Sequence, residues 1–285
     1  MPSLDYVWKE SVRYLDMCGV PESFSVCEIL LAHILQCPRL DLPGRRTEEI
    51  PEEQLVGIRA GIKRLGTQEP VQYVIGEWDF RTVTLRTDSR ALIPRPETEQ
   101  LVDLVLASPV WRRVESPVVV DIGTGTGAII LSLGVEARRG TFIGVDVSEP
   151  ALALAQENAV RCGLTKKITF RIGDALDGFM PGSLDLIVSN PPYIASEVVD
   201  GLEKHIREFE PRSALDGGPD GLDILRRIIC SAVVALRPQG WIYFEIGDDQ
   251  GDSVRKMLED SGFSQVGITR DYSSRIRFAC GCLPG

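Results

Sequence analysis

From Val118 onward the chain alternates short apolar runs with segments of helical periodicity, and this alternation limits the fold most strongly. The predicted strands are 118–121, 141–145, 168–172, 184–188 and 241–246, and the predicted helices are 128–137, 150–162, 222–236 and 250–261. Such a pattern predicts an α/β domain with a mainly parallel sheet covered by helices on both faces. Two further strands, 266–270 and 275–280, have no room for a helix between them. We therefore expect a seven-stranded sheet that ends in an antiparallel hairpin.

A glycine-rich turn connects the first strand to its helix, and an acid ends the second strand. The turn reads Asp121-Ile122-Gly123-Thr124-Gly125-Thr126-Gly127, and Asp146 follows the run 141–145. Glycines permit a tight turn and let a ligand approach the main chain. A carboxylate at that strand end can accept hydrogen bonds from two ribose hydroxyls. The glycine turn alone would suit a nicotinamide dinucleotide or a plain strand–helix turn, whereas the whole pattern predicts a nucleoside across the two strand ends.

Asp174 and Ala175 follow the third predicted strand. There the carboxylate can accept from the exocyclic amine of an adenine, while the Ala175 N–H donates to a ring nitrogen. An equally good interpretation of Asp174 is a helix cap or turn residue.

The segment Asn190-Pro191-Pro192-Tyr193 stands directly after the fourth predicted strand. Proline lacks the N–H that a sheet needs and restricts the residue before it, so the strand has to end in a stiff, extended turn. This turn offers an amide, backbone carbonyls and an aromatic hydroxyl at the carboxyl edge of the sheet, where ligands bind in open α/β folds. The pattern predicts a site for a planar group with hydrogen-bond donors on its edge. The chain has no phosphate-binding GK[ST] loop and no evident partner for hydride transfer, which favours a group-transfer cofactor.

The first part of the chain has a different character. Residues 1–70 contain apolar residues at helical spacing and predict a small helical domain. Residues 71–92 are rich in β-formers and predict a β-hairpin linker to a third region, 93–285. That region opens with Ile93-Pro94-Arg95-Pro96-Glu97-Thr98-Glu99, which predicts a rigid loop and a proline-initiated helix.

Composition narrows the classes of partner. The net charge of −10 argues against a protein whose affinity depends on neutralising many phosphates, so we expect no nucleic-acid partner. Seven cysteines without metal-ligand spacing and only two histidines favour reduced, buried thiols and no metal site. No apolar run is long enough to span a membrane and no signal-peptide pattern begins the chain. These features predict a cytoplasmic protein without a membrane partner, and we expect a monomer.

Taken together, the motifs resemble a known family. The loop DIGTGTG, the GVD at 144–146 and the NPPY at 190–193 are similar to Rossmann-like class I S-adenosylmethionine-dependent methyltransferases that modify a planar amino nitrogen. The segments IPRPETE at 93–99 and FEPRSALDGGPDG at 209–221, with the helical N-terminal domain, resemble the release-factor glutamine N5-methyltransferases. The resemblance covers essentially the whole chain. It implies methyl transfer to the glutamine amide in the Gly-Gly-Gln motif of peptide chain release factors.

The resemblance also implies roles for individual residues. Gly123, Thr124, Gly125, Thr126 and Gly127 would line the methionine part of S-adenosyl-L-methionine, whose product is S-adenosyl-L-homocysteine. Asp146 would hold the ribose, and Asp174 with Ala175 would flank the adenine. The cofactor and the substrate would both contact Asn190.

On the substrate side, Asn190, Pro191, Pro192 and Tyr193 would clamp the glutamine amide as the catalytic residues. The loop that carries Arg95 and Glu97 would cover the site. The helical domain would dock the protein substrate.

The chemistry requires positioning more than acid–base catalysis. An amide nitrogen is a poor nucleophile because its lone pair is delocalised into the carbonyl. Our hypothesis is that the Asn190 side-chain oxygen and the Pro191 carbonyl accept the two amide hydrogens and orient the nitrogen, while Tyr193 packs on the amide plane. No strong base is needed, since the proton leaves only after the nitrogen becomes cationic.

Three other functions fit part of the pattern. A glutamine methyltransferase that acts on a ribosomal protein shares the same catalytic logic. An adenine-N6 nucleic-acid methyltransferase shares NPPY, but it has to hold a flipped base and a phosphate backbone, which the acidic chain disfavours. A cofactor-binding protein without catalysis would not need an intact NPPY.

Overall fold

The computed structural model describes residues 1–137 and 139–285 and divides them into two compact units. Unit 1 contains Met1–Glu77 together with Glu203–Phe209, and unit 2 contains Trp78–Leu202 and Glu210–Gly285. The division near residue 77 differs from the predicted boundaries at 70 and 92. The predicted site residues from Arg95 to Asn190 all belong to unit 2.

Unit 1 is helical, as the periodicity predicts. Its helices are α1 (Leu4–Met17), α2 (Ser23–Ile34), α3 (Glu52–Leu65) and α4 (Val71–Ile75), with a 3-10 segment at Arg39–Arg45. The Ser3 hydroxyl caps α1 by accepting from the Tyr6 N–H at 3.4 Å. α2 and α3 approach closely at Gly61, where a Cβ would lie only 2.7 Å from the Leu30 side chain. The buried apolar faces of these helices form one core.

The expectation of β structure from residue 71 is wrong at its start. Val71–Ile75 is a short helix that begins after Pro70 and ends at Gly76, whose φ is +78°. Val71 is buried in the core of unit 1, so tertiary packing overrides the β propensity of this segment. The hairpin follows later, as β1 (Glu77–Phe80) and β2 (Val83–Arg86).

Unit 2 contains the predicted seven-stranded sheet in the order β5-β4-β3-β6-β7-β9-β8. Its strands are β3 (Val118–Ile122), β4 (Thr141–Asp146), β5 (Ile168–Ile172), β6 (Leu184–Ser189), β7 (Leu236–Glu245), β8 (Ser264–Arg270) and β9 (Ile276–Cys282). β5, β4, β3, β6 and β7 are parallel, and β9 pairs antiparallel with both β7 and β8. The antiparallel end confirms the expected C-terminal hairpin.

Helices cover both faces of this sheet. The longer helices of unit 2 are α5 (Pro96–Leu106), α7 (Ala128–Glu136), α8 (Glu149–Arg161), α11 (Asp223–Ala235) and α12 (Gly251–Asp260), and its short helices are α6 (Val110–Arg113) and α9 (Ser196–Val199). The remaining short helix, α10 (Lys204–Arg207), belongs to unit 1. Successive β3 side chains point to opposite faces, so Val119 belongs to one apolar core and Val120 to the other. Two buried faces explain why the central strands β3 and β6 carry apolar residues at successive positions.

Within residues 1–137 and 139–285, no helix combines the length and the apolar character needed to cross a bilayer. All seven cysteines lie in the described part of the chain and are free. The expectation that they are buried holds only for Cys27 and Cys282, because Cys230 is exposed and the other four are half-buried.

Candidate active site

The sheet brings three sequence-predicted segments to one edge. Ile122, the last residue of β3, pairs with Val145 of β4 on one side and with Ser189 of β6 on the other. The glycine loop, Asp146 and Asn190 follow these three residues directly. β3 and β6 mark the point where the order of the sheet reverses, which is the usual ligand crevice of open α/β folds.

The glycine loop needs its glycines for its backbone conformation. The φ angles of Gly123, Gly125 and Gly127 are +70°, +55° and +84°, in the region that side chains disfavour. The N–H groups of Gly123 and Thr124 both donate to the Val145 carbonyl, at 2.8 and 3.0 Å. A Cβ at Gly123 would have no heavy atom within 4 Å, so the backbone is open on that side. The loop is tied to β4 and leaves its main chain accessible to a ligand.

Asp146 fixes the other side of the loop. Its Oδ2 accepts from the Gly125 N–H and its Oδ1 from the Ser148 N–H, both at 2.9 Å. Burial raises the pKa of this carboxyl, and the backbone N–H groups oppose that shift. Each carboxylate oxygen has more than one acceptor site, so both can also accept from vicinal hydroxyls.

Asp174 and Ala175 lie beyond β5, at the rim. The Asp174 carboxylate forms an ion pair with Arg227 of α11, and Ala175 has a φ of +48°. Both members of the ion pair are about half exposed, so the pair contributes little stability. No sequence pattern singled out Arg227, since a basic residue on the polar side of a helix is ordinary.

The side chain of Asn190 is oriented by hydrogen bonds. Its Nδ2 donates to the Thr98 hydroxyl at 3.2 Å, and that hydroxyl donates to Oε2 of Glu245 at 2.7 Å. The donor end of the amide is thereby engaged, and the acceptor end, Oδ1, is the end available to a ligand. The neighbouring Pro191 is buried. No pattern in the sequence indicates Thr98 or Glu245 as a site residue.

Tyr193 is fixed by two hydrogen bonds. Its hydroxyl accepts from Nη1 of Arg277 at 3.4 Å, and its backbone carbonyl accepts from Nε2 of Gln250 at 2.9 Å. Burial is the main cause that raises the pKa of Tyr193 to about 12. Among the described residues predicted to bind ligands, Tyr193, Glu97 and Gly127 are those outside the cavity wall.

The loop that carries Arg95 is anchored by a buried acid. Glu210 has a fully buried side chain, which accepts from the Ile93 N–H at 3.2 Å and forms an ion pair with Arg95. Glu210 belongs to the segment 209–221, and the sequence indicates no individual role for it. Its contacts join that segment to the loop 93–95.

These elements surround one cavity of about 1100 Å³, including its open mouth. Its polar wall is formed by Gly123, Thr124, Gly125, Thr126, Asp146, Asp174, Arg95, Thr98 and Asn190, and its apolar wall by Ala91, Ile93, Pro94, Ile129, Pro191, Pro192, Ile224 and Ile228. An apolar slot with a carboxylate at one end and an amide at the other fits a nucleoside cofactor beside a second planar group.

Comparison with known proteins agrees with this geometry. The family model for the PrmC N-terminal domain matches residues 7–76, and that for the methyltransferase small domain matches residues 103–207. A crystal structure of a methyltransferase from Pyrococcus furiosus is 16% identical and covers 70% of this chain and 89% of its own, with a TM-score of 0.52. That likeness concerns the fold.

Curated relatives match nearly the whole chain. The release factor glutamine methyltransferase of Moorella thermoacetica is 37% identical over 94% of this chain and 94% of its own. The Caulobacter vibrioides protein of the same name is 34% identical over 96% of this chain and 94% of its own. The human MTRF1L release factor glutamine methyltransferase is 36% identical over 91% and 81%. This chain belongs to the release factor glutamine methyltransferase family.

Proposed function

We propose that this protein methylates the side-chain nitrogen (N5) of the glutamine in the Gly-Gly-Gln motif of peptide chain release factors, with S-adenosyl-L-methionine as donor. The observation that carries the proposal is the placement of Asn190. Its amide is oriented by Thr98 and lies in the same cavity as the glycine loop and Asp146. A fixed amide acceptor next to a nucleoside site suits the transfer of a group to a planar nitrogen.

The cofactor supplies an electrophilic methyl group bound to a sulfonium. Asp146 would accept from its ribose hydroxyls, and the open backbone at Gly123 would face its amino-acid part. Asp174 and Ala175 would flank the adenine, for which Asp174 has to share or leave its ion pair with Arg227. The conformation of the loop and the engaged Asp146 support this assignment.

The protein residues have to orient a weak nucleophile. The Asn190 oxygen and the Pro191 carbonyl would accept the two hydrogens of the glutamine amide and so fix its plane. This arrangement favours electron density on the nitrogen as the C–N bond twists, and fixed dipoles of this kind need no reorganisation during the reaction. After transfer the nitrogen is cationic and acidic, so its proton can pass to water without a dedicated base.

The placement of Tyr193 changes one part of the hypothesis. Its hydroxyl accepts from Arg277, its carbonyl accepts from Gln250, and the residue is not part of the cavity wall. We therefore assign Tyr193 the role of anchoring the turn 190–193, in place of packing on the substrate amide.

Replacing Asp146 with alanine is expected to weaken cofactor affinity by roughly 10- to 100-fold, because hydrogen bonds to a charged group contribute about 1.5–3 kcal/mol each. The change also removes the acceptor for the Gly125 N–H and loosens the loop. Calorimetric titration with S-adenosyl-L-homocysteine measures the affinity. Affinity within twofold of the wild type would contradict the assigned cofactor site.

Unit 1 would dock the release factor. It contributes no catalytic side chain, and an enzyme that acts on a macromolecule needs a surface to bind it. Large apolar side chains on its surface support this role, since such residues suit protein contacts. The exposed ones include Tyr6, Met17, Phe24 and Leu40.

Leu40→Asp is expected to raise KM for the release factor by at least about threefold and to leave KM for the cofactor unchanged, because a charge weakens an apolar contact. Leu40 is 92% exposed, so the change should not disturb the core. The control is Glu10→Gln, another exposed position of unit 1. Steady-state kinetics with varied release factor measure the effect, and equal KM values in all three proteins would remove Leu40 from the interface.

The function itself is tested by incubating the protein with a purified release factor and labelled cofactor, followed by mass mapping of the methylated residue. We expect one methyl group on the glutamine of Gly-Gly-Gln. Parallel reactions with ribosomal proteins and with DNA and RNA distinguish the two alternatives. Label in either of those substrates without label in the release factor would overturn the proposal. A cytoplasmic, monomeric enzyme is the form we propose.

A further inference from the structure

A buried carboxylate behind Asn190 has no part in the proposed reaction. Glu245, the last residue of β7, is 2% exposed, and Thr98 in the first turn of α5 is 4% exposed. Hydrogen bonds connect Glu245 to Thr98 at 2.7 Å and Thr98 to Asn190 at 3.2 Å. Burying a carboxylate costs free energy, which suggests that Glu245 serves a purpose beside the site.

The hydrogen bonds from Asn190 through Thr98 to Glu245 can run in only one direction when Glu245 is ionised. A threonine hydroxyl has one proton, and an ionised carboxylate can only accept. With Glu245 ionised, the Thr98 proton is committed to Glu245, and the Thr98 oxygen can only accept from Asn190. The two ends of an asparagine amide are nearly equal in size, so packing alone does not distinguish them. The hydroxyl does, because it binds Nδ2 and leaves Oδ1 for the ligand.

We propose that Glu245 is a positioning residue that acts through Thr98 to fix the polarity of the Asn190 amide. The inference rests on the proposed function, in which Oδ1 of Asn190 accepts a substrate amide hydrogen. An amide turned by 180° would present its NH₂ group to the substrate NH₂ group, and two donors would face each other. The orientation of Asn190 therefore determines whether the substrate amide is held.

The same chain of bonds makes the site sensitive to pH. A protonated Glu245 can donate to Thr98, which frees the Thr98 proton to donate to Oδ1 of Asn190 and turns the amide. The charged groups that bear on Glu245 are Arg277, Glu97 and Arg95, and the Tyr193 hydroxyl lies near Arg277. Burial is the main cause that raises the pKa of Glu245 to about 7, while Thr98 and the arginines lower it.

The enzyme is active when Glu245 is ionised. kcat is therefore expected to be low below pH 7 and to rise as Glu245 loses its proton. Stability changes in the opposite direction. Since the folded protein holds the Glu245 proton to a higher pH than the unfolded chain, this group's contribution to stability decreases as pH rises from about 4.5 to 7.

Three variants test the inference in the full-length protein with a release factor as substrate. Thr98→Val is expected to lower kcat about 10- to 100-fold with KM for the cofactor unchanged, since misorientation of a reacting group has effects of that size. Thr98→Ser keeps the hydroxyl and should restore kcat to within about threefold of the wild type. Glu245→Gln should lower kcat and remove its rise between pH 6 and 8. Glu259→Gln, at an exposed position of α12, is the matched control and should keep the wild-type profile.

A purely structural role for Glu245 would give a different result. It would lower the melting temperature of Glu245→Gln at pH 8, whereas removal of a buried charge should leave that temperature unchanged or higher. Wild-type kcat in Thr98→Val, or an unchanged pH profile in Glu245→Gln, would overturn the inference.

A measurement without substrate separates this inference from the proposed function. In ¹⁵N-labelled wild-type protein, the Asn190 side-chain amide signals should titrate with a midpoint near 7, and Glu245→Gln should abolish the titration. Their absence in Asn190→Ala identifies these signals. Wild-type signals that do not titrate would overturn the inference whether or not the release factor is methylated. Titrating signals in a protein that methylates no release factor would overturn the proposed function alone.

Discussion

Replacing Asn190 with alanine is expected to lower kcat for release-factor methylation by about 10²–10³-fold, the size of effect seen when one preorganised polar contact to a reacting group is removed. The change eliminates the acceptor that orients the substrate amide and leaves the Thr98 hydroxyl without its donor. Cofactor affinity should fall by no more than about threefold, because the glycine loop and Asp146 are unchanged. Single-turnover kinetics with saturating cofactor measure the chemical step directly.

This result is informative because kcat and cofactor affinity should respond differently to the substitution. Asn190→Ala should affect kcat and spare cofactor binding, whereas Asp146→Ala should affect cofactor binding first. The two variants thus serve as controls for each other, since a general loss of structure would lower both kcat and cofactor affinity in both proteins. Turnover of Asn190→Ala within tenfold of the wild type would exclude Asn190 from the catalytic role.

The architecture of unit 2 could be predicted because its central strands β3 and β6 are buried on both faces. Apolar runs such as 118–120 then stand out against the amphipathic helices between them. The glycine loop and Asp146 could be predicted for a related reason, since they directly follow such strands. Their positions at the sheet edge depend on parallel pairing alone, which the registers from Ile122 to Val145 and Ser189 confirm.

The groups that hold the site could not be predicted in the same way. Thr98 and Glu245 lie 147 positions apart, and each has an ordinary local interpretation: a polar residue in the first turn of a helix and an acid at the end of a strand. Glu210 bonds to the Ile93 N–H across 117 positions. Hydrogen bonds of this kind depend on tertiary packing and leave no periodicity in the sequence. A buried acid becomes recognisable only when its burial is known.

Replacing Gly221 with alanine is expected to have the largest effect on stability. Gly221 has a φ of +74°, and a Cβ at this position would overlap the Tyr193 carbonyl oxygen and lie 2.8 Å from Nε2 of Gln250. Gln250 in turn donates to both the Tyr193 and the Gly221 carbonyls, so the added atom would push against the contact that fixes the turn 190–193. The backbone strain costs about 1–2 kcal/mol and the overlap about 1–3 kcal/mol more.

A total of about 2–5 kcal/mol corresponds to a melting temperature lower by about 5–15 °C in a domain of this size. Thermal unfolding followed by calorimetry measures this change. kcat should fall as well, because Asn190 belongs to the displaced turn. Cofactor affinity should be affected least, since the overlaps at Gly221 involve Tyr193 and Gln250 and no residue of the glycine loop.

Gly163→Ala separates the two contributions. Gly163 has a φ of +69°, close to that of Gly221, but a Cβ there would meet no heavy atom within 4 Å. It follows α8 at an exposed turn, so its substitution carries the backbone strain without the overlap. We expect a melting temperature lower by about 2–6 °C and wild-type kcat. Equal losses of stability in the two variants would mean that the overlap with the Tyr193 carbonyl costs nothing and that backbone strain alone explains both changes.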